Sequence, residues 1–312
     1  MDLAVAIVSY NTRELTLGCL GSLYRELDAA GIDAAVTVVD NASSDGSAAA
    51  IAEAYPQATL IASQENLGFA RGTNLAVAQM LDQAPDYLLL LNPDTLIKPK
   101  ALEYLMSFMR AAPRVAMAGA QLEYGDGSFQ HSAFRFPTLL MAAFDFWTVN
   151  HRLIESRLNG RYPRALYEAG KPFLVDHPLG AAMLVNTAAW RELGALDEGY
   201  FMYCEEIDWC KRARLAGWEV ACVPKARIVN FAGQSSRQFR PQMFTALWAS
   251  RFRLFARYYD KTYQRRVKRI VRAGLDKLIL QAQAQQSSGE LSYPDLEAML
   301  GAYAQVREIT CA

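Results

Sequence analysis

The sequence predicts an α/β fold: a doubly wound, mostly parallel sheet with helices on both faces, followed by a C-terminal helical extension. Three observations predict it. Short, wholly apolar runs alternate with helix-length stretches through the first 112 residues; polar residues cluster at the ends of those runs; and the chain after Gly233 turns helical and basic. Strands covered on both faces read as continuous apolar runs, which is the mark of a parallel sheet.

Residues 3–8 form the first strand, followed by a helix near 14–30, a strand at 35–39 and a helix near 47–54. A strand at 59–62, a helix over about 72–82, the most apolar strand at 87–91 and a helix from about 100 to 112 continue the alternation. From 124 to 175 the pattern loosens, with a turn at Gly125-Asp126-Gly127 and an aromatic-rich stretch through Phe134, Phe136, Phe144, Phe146 and Trp147 that sets no period. Order returns with a strand at 179–185, helices near 187–193 and 205–216, and a strand near 220–223. There is no internal repeat.

A chain of 312 residues that is 52% hydrophobic can bury a large core. With Lys+Arg 32 against Asp+Glu 32, its surface is not built to hold nucleic acid. Five cysteines, odd in number and without C-x-x-C spacing, imply neither a disulfide framework nor a structural zinc site and suit a reducing cytoplasm. His131, His151 and His177 lack the spacing of a zinc site. The N-terminus has an acidic second residue, no basic leader, and an apolar run too short for a signal peptide or a membrane span.

In a doubly wound sheet, ligands bind outside the carboxyl ends of the strands. Ser9-Tyr10-Asn11, Asp40-Asn41 and Asn92-Pro93-Asp94 fall at three such ends. Asp40 is placed to accept hydrogen bonds from a base or ribose, whereas Asp45 and Ser47 read more simply as helix caps. Asn66, Gly68, Arg71, Gly72 and Asn74 occupy a loop-to-helix junction, where glycine admits close approach and arginine suits a diphosphate. Asn92 and Asp94 supply two oxygen ligands across a proline, and Asp94 is assigned to a hard divalent cation; read alone, it could also cap the next helix. Glu205, Glu206 and Asp208 crowd the start of a helix. One carboxylate there can act as a general base, and three exceed what the helix dipole requires.

Taken in order, these segments resemble glycosyltransferase family 2, and within it the bacterial rhamnosyltransferase-like branch that extends O-antigens and similar polymers. The resemblance covers residues 4–235. It implies a GT-A fold, a nucleoside-diphosphate sugar donor, Mg²⁺ or Mn²⁺, and displacement with inversion onto a glycan or lipid-linked acceptor. Asp40 matches the nucleoside-binding aspartate, Asp94 the last aspartate of the D-x-D metal motif, and Glu206 the base, with Glu205 and Asp208 next in line. Ser9, Tyr10, Asn11, Asn41, Asn66, Gly68, Arg71, Asn74 and Asn92 fall on the donor side, and Gly180, Ala181 and Ala182 match the segment between donor sugar and acceptor. Residues 1–236 would form the catalytic domain, with a nucleotide-sugar half to about 120 and an acceptor half to 236, and residues 237–312 the extension.

Two positions depart from the pattern. Asn230 stands where the branch commonly has the histidine of His-x-x-Gly-x-Ser, offering an amide oxygen instead of imidazole. The metal motif starts with Asn92 instead of aspartate. A non-catalytic sugar-nucleotide-binding homologue is the alternative that these departures favour, and the retained Asp40, Asp94 and acid pair oppose it. A dehydrogenase would need G-x-G-x-x-G after the first strand, and a nucleotidyltransferase a glycine-rich loop with a basic residue there; neither is present.

In the extension, ten basic residues between Arg251 and Lys277 face only Asp260 and Asp276. Phe244, Trp248, Phe252, Phe255, Tyr258 and Tyr259 interleave with the arginines. This pattern fits either a solvated helix face or peripheral contact with anionic lipid on the inner face of the cell membrane.

Overall fold

The computed structural model describes residues 1–147, 150–231 and 240–311. Its elements in chain order are β1 (Leu3–Ser9), α1 (Arg13–Ala30), β2 (Ala34–Asp40), α2 (Ser47–Ala54), β3 (Thr59–Ala62), α3 (Gly68–Ala78), β4 (Tyr87–Leu91), β5 (Thr95–Ile97), α4 (Ala101–Ala111) and β6 (Val115–Glu123). Then come β7 (Phe129–Gln130), β8 (Ala133–Phe134), α5 (Leu139–Phe144), α6 (His151–Ile154), α7 (Arg164–Glu168), β9 (Phe173–Leu174), β10 (His177–Pro178), β11 (Ala182–Asn186), α8 (Thr187–Leu193), α9 (Glu205–Leu215) and β12 (Glu219–Asn230). Three long helices follow: α10 (Arg240–Tyr258), α11 (Lys261–Ser287) and α12 (Tyr293–Cys311).

The chain divides into two units. The first comprises Met1–Arg135, Tyr162–Phe201 and the chain from Glu205 through β12. Its main sheet runs β3-β2-β1-β4-β11-β6-β12-β5. The β3-β2-β1-β4 half is parallel throughout. The other half is mixed: β11 runs antiparallel to both β4 and β6, β6 and β12 are parallel, and β5 closes the edge antiparallel to β12.

Alternation along β1 shows how both faces are covered. Leu3, Val5 and Ile7 join the core under α1, α2 and α4, together with Leu20, Leu23, Ile51, Leu102 and Leu105. Val8 points to the opposite face, where a Cβ on Gly72 of α3 would lie only 3.0 Å from it. Ala4 and Ala6 share that face, and their small side chains let α3 lie close to the sheet.

Some boundaries differ from the sequence expectation. The third helix begins at Gly68, not Gly72, and ends at Ala78, with a 3₁₀ turn at Leu81–Gln83 taking up the rest. The last strand is Glu219–Asn230, well beyond 223, because register shifts around Val223 and Arg227 absorb the Pro224-Lys225 interruption. Asp94 precedes a strand, so it caps no helix. His177 is buried, its Nδ1 2.9 Å from Pro178 O, and burial lowers its pKa to about 4.

The second unit holds Phe136–Arg161, Met202–Cys204 and the C-terminal helices. Trp248, Phe252 and Phe255 of α10 pack with Val267, Val271 and Leu275 of α11 and with Tyr303 and Val306 of α12. The aromatic-rich stretch that the sequence leaves unplaced belongs here from Phe136 onward, whereas Phe134 lies in the first unit and stacks on His177. Phe146 stacks on Trp248 at 5.1 Å, and a Cβ on Gly274 would lie 2.1 Å from the Phe146 ring, so only glycine fits at that turn of α11. The aromatic residues among the arginines are therefore largely core, and the face left to solvent carries Lys261, Arg265, Arg266 and Arg269.

Candidate active site

Parallel strands end at the same edge, which is why residues far apart in sequence meet there. Ser9 lies opposite Asp40 in register, and Ile7 opposite Leu91. Asp40 is 3% exposed; its Oδ2 accepts from Ser43 N at 3.0 Å, while its Oδ1, equally buried, accepts no hydrogen bond among the described residues. A buried acceptor without a donor at a strand end calls for an explanation, and a ligand hydroxyl or N–H supplies one. Ser9 is fully buried, and its hydroxyl is shared with Thr12 and Thr16 at 3.2 and 2.9 Å, so it braces the β1–α1 turn. Asn11, in the left-handed region at φ 50°, accepts from Ser44 N at 2.8 Å and its own N–H donates to Ser43 Oγ, tying the two loops around Asp40. Tyr10 is half-buried.

The glycine-containing junction is organised largely by the protein itself. Asn41 donates through Nδ2 to Gly68 O at 3.1 Å and accepts at Oδ1 from Leu67 N at 3.1 Å. Asn66 Oδ1 accepts from Gly68 N, and Gly68 sits at φ +75° with a would-be Cβ 2.3 Å from Phe201 O. The close approach that this glycine permits is to the Phe201 backbone, whose carbonyl also accepts from Phe69 N at 2.8 Å. Asn74 donates to Leu196 O and Glu198 Oε1 and accepts from Leu196 N. Gly68 and Asn74 thus act on the loop before α9, and Asn41 holds the turn at Leu67–Gly68. Arg71 is exposed, with a 3.5 Å ion pair to Glu65 weak enough to exchange for a phosphate.

At the end of β4, Asn92 N donates to Ala181 O at 2.8 Å, and Ala182 pairs with Leu91. The Gly180-Ala181-Ala182 segment therefore sits beside Asn92. Asp94 is 3% exposed, its Oδ1 accepts no hydrogen bond among the described residues, and burial raises its pKa. Asn230 pairs with Thr95 across β12 and β5, Phe231 N donates to Asp94 O at 2.9 Å, and Asn230 Nδ2 donates to Gln130 Oε1 at 3.2 Å. The remaining positions of that motif, Ala232-Gly233-Gln234-Ser235, lie outside the described residues.

No group of three or more His, Cys, Asp or Glu gathers to hold a metal among the described residues. One desolvated carboxylate oxygen and a nearby amide still fit a cation whose other ligands are phosphate oxygens and water, as Mg²⁺ and Mn²⁺ sites on nucleotides are built.

Glu205 and Glu206 open α9 and are 5% and 9% exposed. Burial first, and the charge of Glu206 second, push the pKa of Glu205 well above its ordinary value. A Cβ on Gly180 would meet Glu206 Cδ at 3.8 Å, so the carboxylate lies against the small-residue segment beside Asn92. Asp208 is engaged elsewhere, for it is fully buried and accepts from Arg212 Nε at 2.9 Å. Arg212 also donates to Leu193 O at 2.6 Å and Ala195 O at 2.8 Å, and Trp209 Nε1 to Gly194 O at 3.0 Å. Arg212 is a residue that the sequence reading passes over. Its spacing of four from Asp208 was the available signal.

The chain matches the family model for glycosyl transferase family 2 over residues 4–172. It is 28% identical over 214 residues to the N-acetylglucosaminyl-diphospho-decaprenol L-rhamnosyltransferase of Mycobacterium tuberculosis, covering 64% of this chain and 67% of that one. It is 30% identical over 197 residues to rhamnosyltransferase WbbL of Escherichia coli, covering 61% and 70%. Among solved structures, the mannosyltransferase PcManGT from Pyrobaculum calidifontis, in complex with GDP-Man and Mn²⁺, superposes with a TM-score of 0.57 at 16% identity, covering 99% of this chain and 87% of that one. S. aureus TarS 1-349 gives 0.52 at 13% identity, covering 99% and 90%. These likenesses identify the fold as GT-A. With the family matched over more than half of the chain, the protein belongs to glycosyltransferase family 2 and is a glycosyltransferase of its rhamnosyltransferase-like branch.

Proposed function

We propose that this enzyme transfers L-rhamnose from dTDP-rhamnose, with inversion, to a hydroxyl of a glycan or lipid-linked acceptor in surface-polysaccharide assembly. The observation that carries this reading is the buried Glu205–Glu206 pair, with Glu206 against the Gly180–Ala182 segment that meets Asn92. The donor and acceptor classes follow the names of the similar rhamnosyltransferases.

Asp40 accepts from the base or ribose with its open Oδ1, and Arg71 leaves Glu65 for the diphosphate. Asp94, with Asn230 beside it, would hold Mg²⁺ or Mn²⁺, which when bound neutralises the charge of the leaving diphosphate. Glu206 takes the proton of the acceptor hydroxyl as that oxygen attacks from the face opposite the diphosphate, which inverts the anomeric centre. Burial and the neighbouring Glu206 charge raise the pKa of Glu205, so ionisation of the pair is disfavoured at Glu205.

No helix among the described residues is long and apolar enough to cross a membrane. The exposed cations of α11 suit peripheral attachment to the anionic cytoplasmic leaflet, where a lipid-linked acceptor would be met.

Calorimetric binding of dTDP, UDP and GDP, each with Mg²⁺, with Mn²⁺ and with chelator, tests the donor side. dTDP is expected to bind tightest and to weaken at least about tenfold with chelator. Preference for another nucleotide overturns the donor assignment; equal affinity with chelator overturns the metal.

A further inference from the structure

Between the last residue of β4 and the first of β5 the chain has only Asn92, Pro93 and Asp94. Pro93 has no N–H to donate, and its ring fixes φ. The setting of the peptide before it therefore rests on what the Asn92 carbonyl accepts. Among the described residues two donors meet that oxygen, the Thr95 hydroxyl at 2.8 Å and the Cys19 thiol at 3.5 Å. The thiol also lies 3.6 Å from Thr95 Oγ1. A thiol donates weakly, so the hydroxyl is the stronger hold.

These two groups belong to a buried polar seam. Thr16, Cys19 and Ser22 of α1 follow one another about a turn apart, none more than 2% exposed. Thr16 Oγ1 meets Ser9 Oγ at 2.9 Å at the end of β1, Cys19 meets the turn after β4, and Ser22 Oγ accepts from Ile97 N at 3.0 Å in β5. A helix face laid on a sheet is ordinarily apolar. Here its hydroxyls and thiol are spent on the strand ends that carry the site.

The turn has two further holds, for Asn92 N donates to Ala181 O at 2.8 Å and Phe231 N to Asp94 O at 2.9 Å. Neither reaches the Asp94 carboxylate, whose Oδ1 is buried and accepts no hydrogen bond among the described residues. We propose that Thr95 is a positioning residue for the metal site: by closing the turn onto Asn92 O, it fixes where Asp94 presents that oxygen to a divalent cation. Thr95, 1% exposed, acts through Asp94, since its hydroxyl proton is committed to the backbone. This inference rests on Asp94 holding the cation. Groups that orient a metal-binding carboxylate are worth about 10- to 100-fold in metal affinity. Asp40, at the end of β2, takes its hydrogen bond from Ser43 and not from this turn, so nucleoside recognition should be spared.

The test uses the full chain as wild type, Thr95→Val, Thr95→Ser and Asp94→Ala. The probe is whichever of dTDP, UDP and GDP the wild type binds tightest, and its affinity is measured by calorimetry with Mg²⁺ and with chelator. Valine keeps the branched shape and removes the donor. Thr95→Val is expected to lose about tenfold or more in affinity with Mg²⁺ while staying within about twofold of wild type in chelator. Thr95→Ser, which keeps the hydroxyl, should return to within about threefold of wild type with Mg²⁺. An undiminished gain from Mg²⁺ in Thr95→Val overturns the proposal. So does an equal loss with Mg²⁺ and with chelator that serine does not rescue, which marks a general loss of structure. A gain from Mg²⁺ that survives in Asp94→Ala, or is absent from the wild type, instead removes the metal assignment of Asp94, and the role of Thr95 with it.

Discussion

Glu205 is buried at the start of a helix beside a second buried carboxylate, and its ionisation is disfavoured by burial and then by the charge of Glu206. A raised folded-state pKa has a definite consequence for stability. Below the ordinary carboxyl value of 4.5 both folded and unfolded chains are protonated and nothing is lost. Above it the unfolded chain ionises while the folded one does not, so stability falls as pH rises toward the folded pKa. Glu205→Gln, which stays neutral, is expected to raise Tm by at least about 2 °C at pH 7 and to change it little at pH 4. Equal shifts at both pH values would show that Glu205 is not held neutral in the fold.

The tie between α3 and the loop before α9 belongs to the element scale. Asn74 makes three hydrogen bonds to Leu196 and Glu198, and the Arg212 guanidinium and Trp209 indole grip the same loop at 193–195. Asn74→Ala should cost about 1–3 kcal/mol in urea unfolding, because it strands a buried backbone carbonyl and N–H. A loss below about 0.5 kcal/mol would mean that Arg212 and Trp209 hold the loop without Asn74. These contacts also show what the sequence discloses and what it hides. Strands β1 to β4 are legible because continuous apolar runs such as Leu88-Leu89-Leu90-Leu91 have few other readings. β6, Val115–Glu123, is not: its alanines and Gly119 lack strand character, and it is a strand because Pro178 packs directly on Gly119 and β11 and β12 flank it. The strand-end carboxylates Asp40 and Asp94 are conspicuous in the sequence because an acid is unusual after an apolar run. That Asn41, Gly68 and Asn74 are committed to the backbone of Leu67, Gly68, Leu196 and Phe201 is a long-range fact that no local pattern carries.

For the whole molecule, charge is segregated. A chain of net charge zero that places ten basic against two acidic residues between 251 and 277 carries an acidic excess of eight elsewhere. With Trp248, Phe252 and Phe255 in the bundle core, attachment to lipid would be electrostatic, with little aromatic insertion. The enzyme is expected to sediment with vesicles containing anionic lipid at low salt, to ignore neutral vesicles, and to be released at about 0.5 M salt, where screening is short-ranged. Lys261→Glu with Arg265→Glu should weaken that binding about tenfold or more. Failure to sediment with anionic vesicles at low salt removes the membrane role. The strand order has a further consequence, for synthesis. β4 ends at Leu91 but its outer neighbour β11 starts only at Ala182. A ribosome adding about 5–20 residues per second needs on the order of 5–20 s to deliver it. Throughout that interval the most apolar strand of the sheet has a bare, pairing-competent edge, so the nascent chain depends on chaperone cover, and any fragment that stops short of β11 is prone to aggregate.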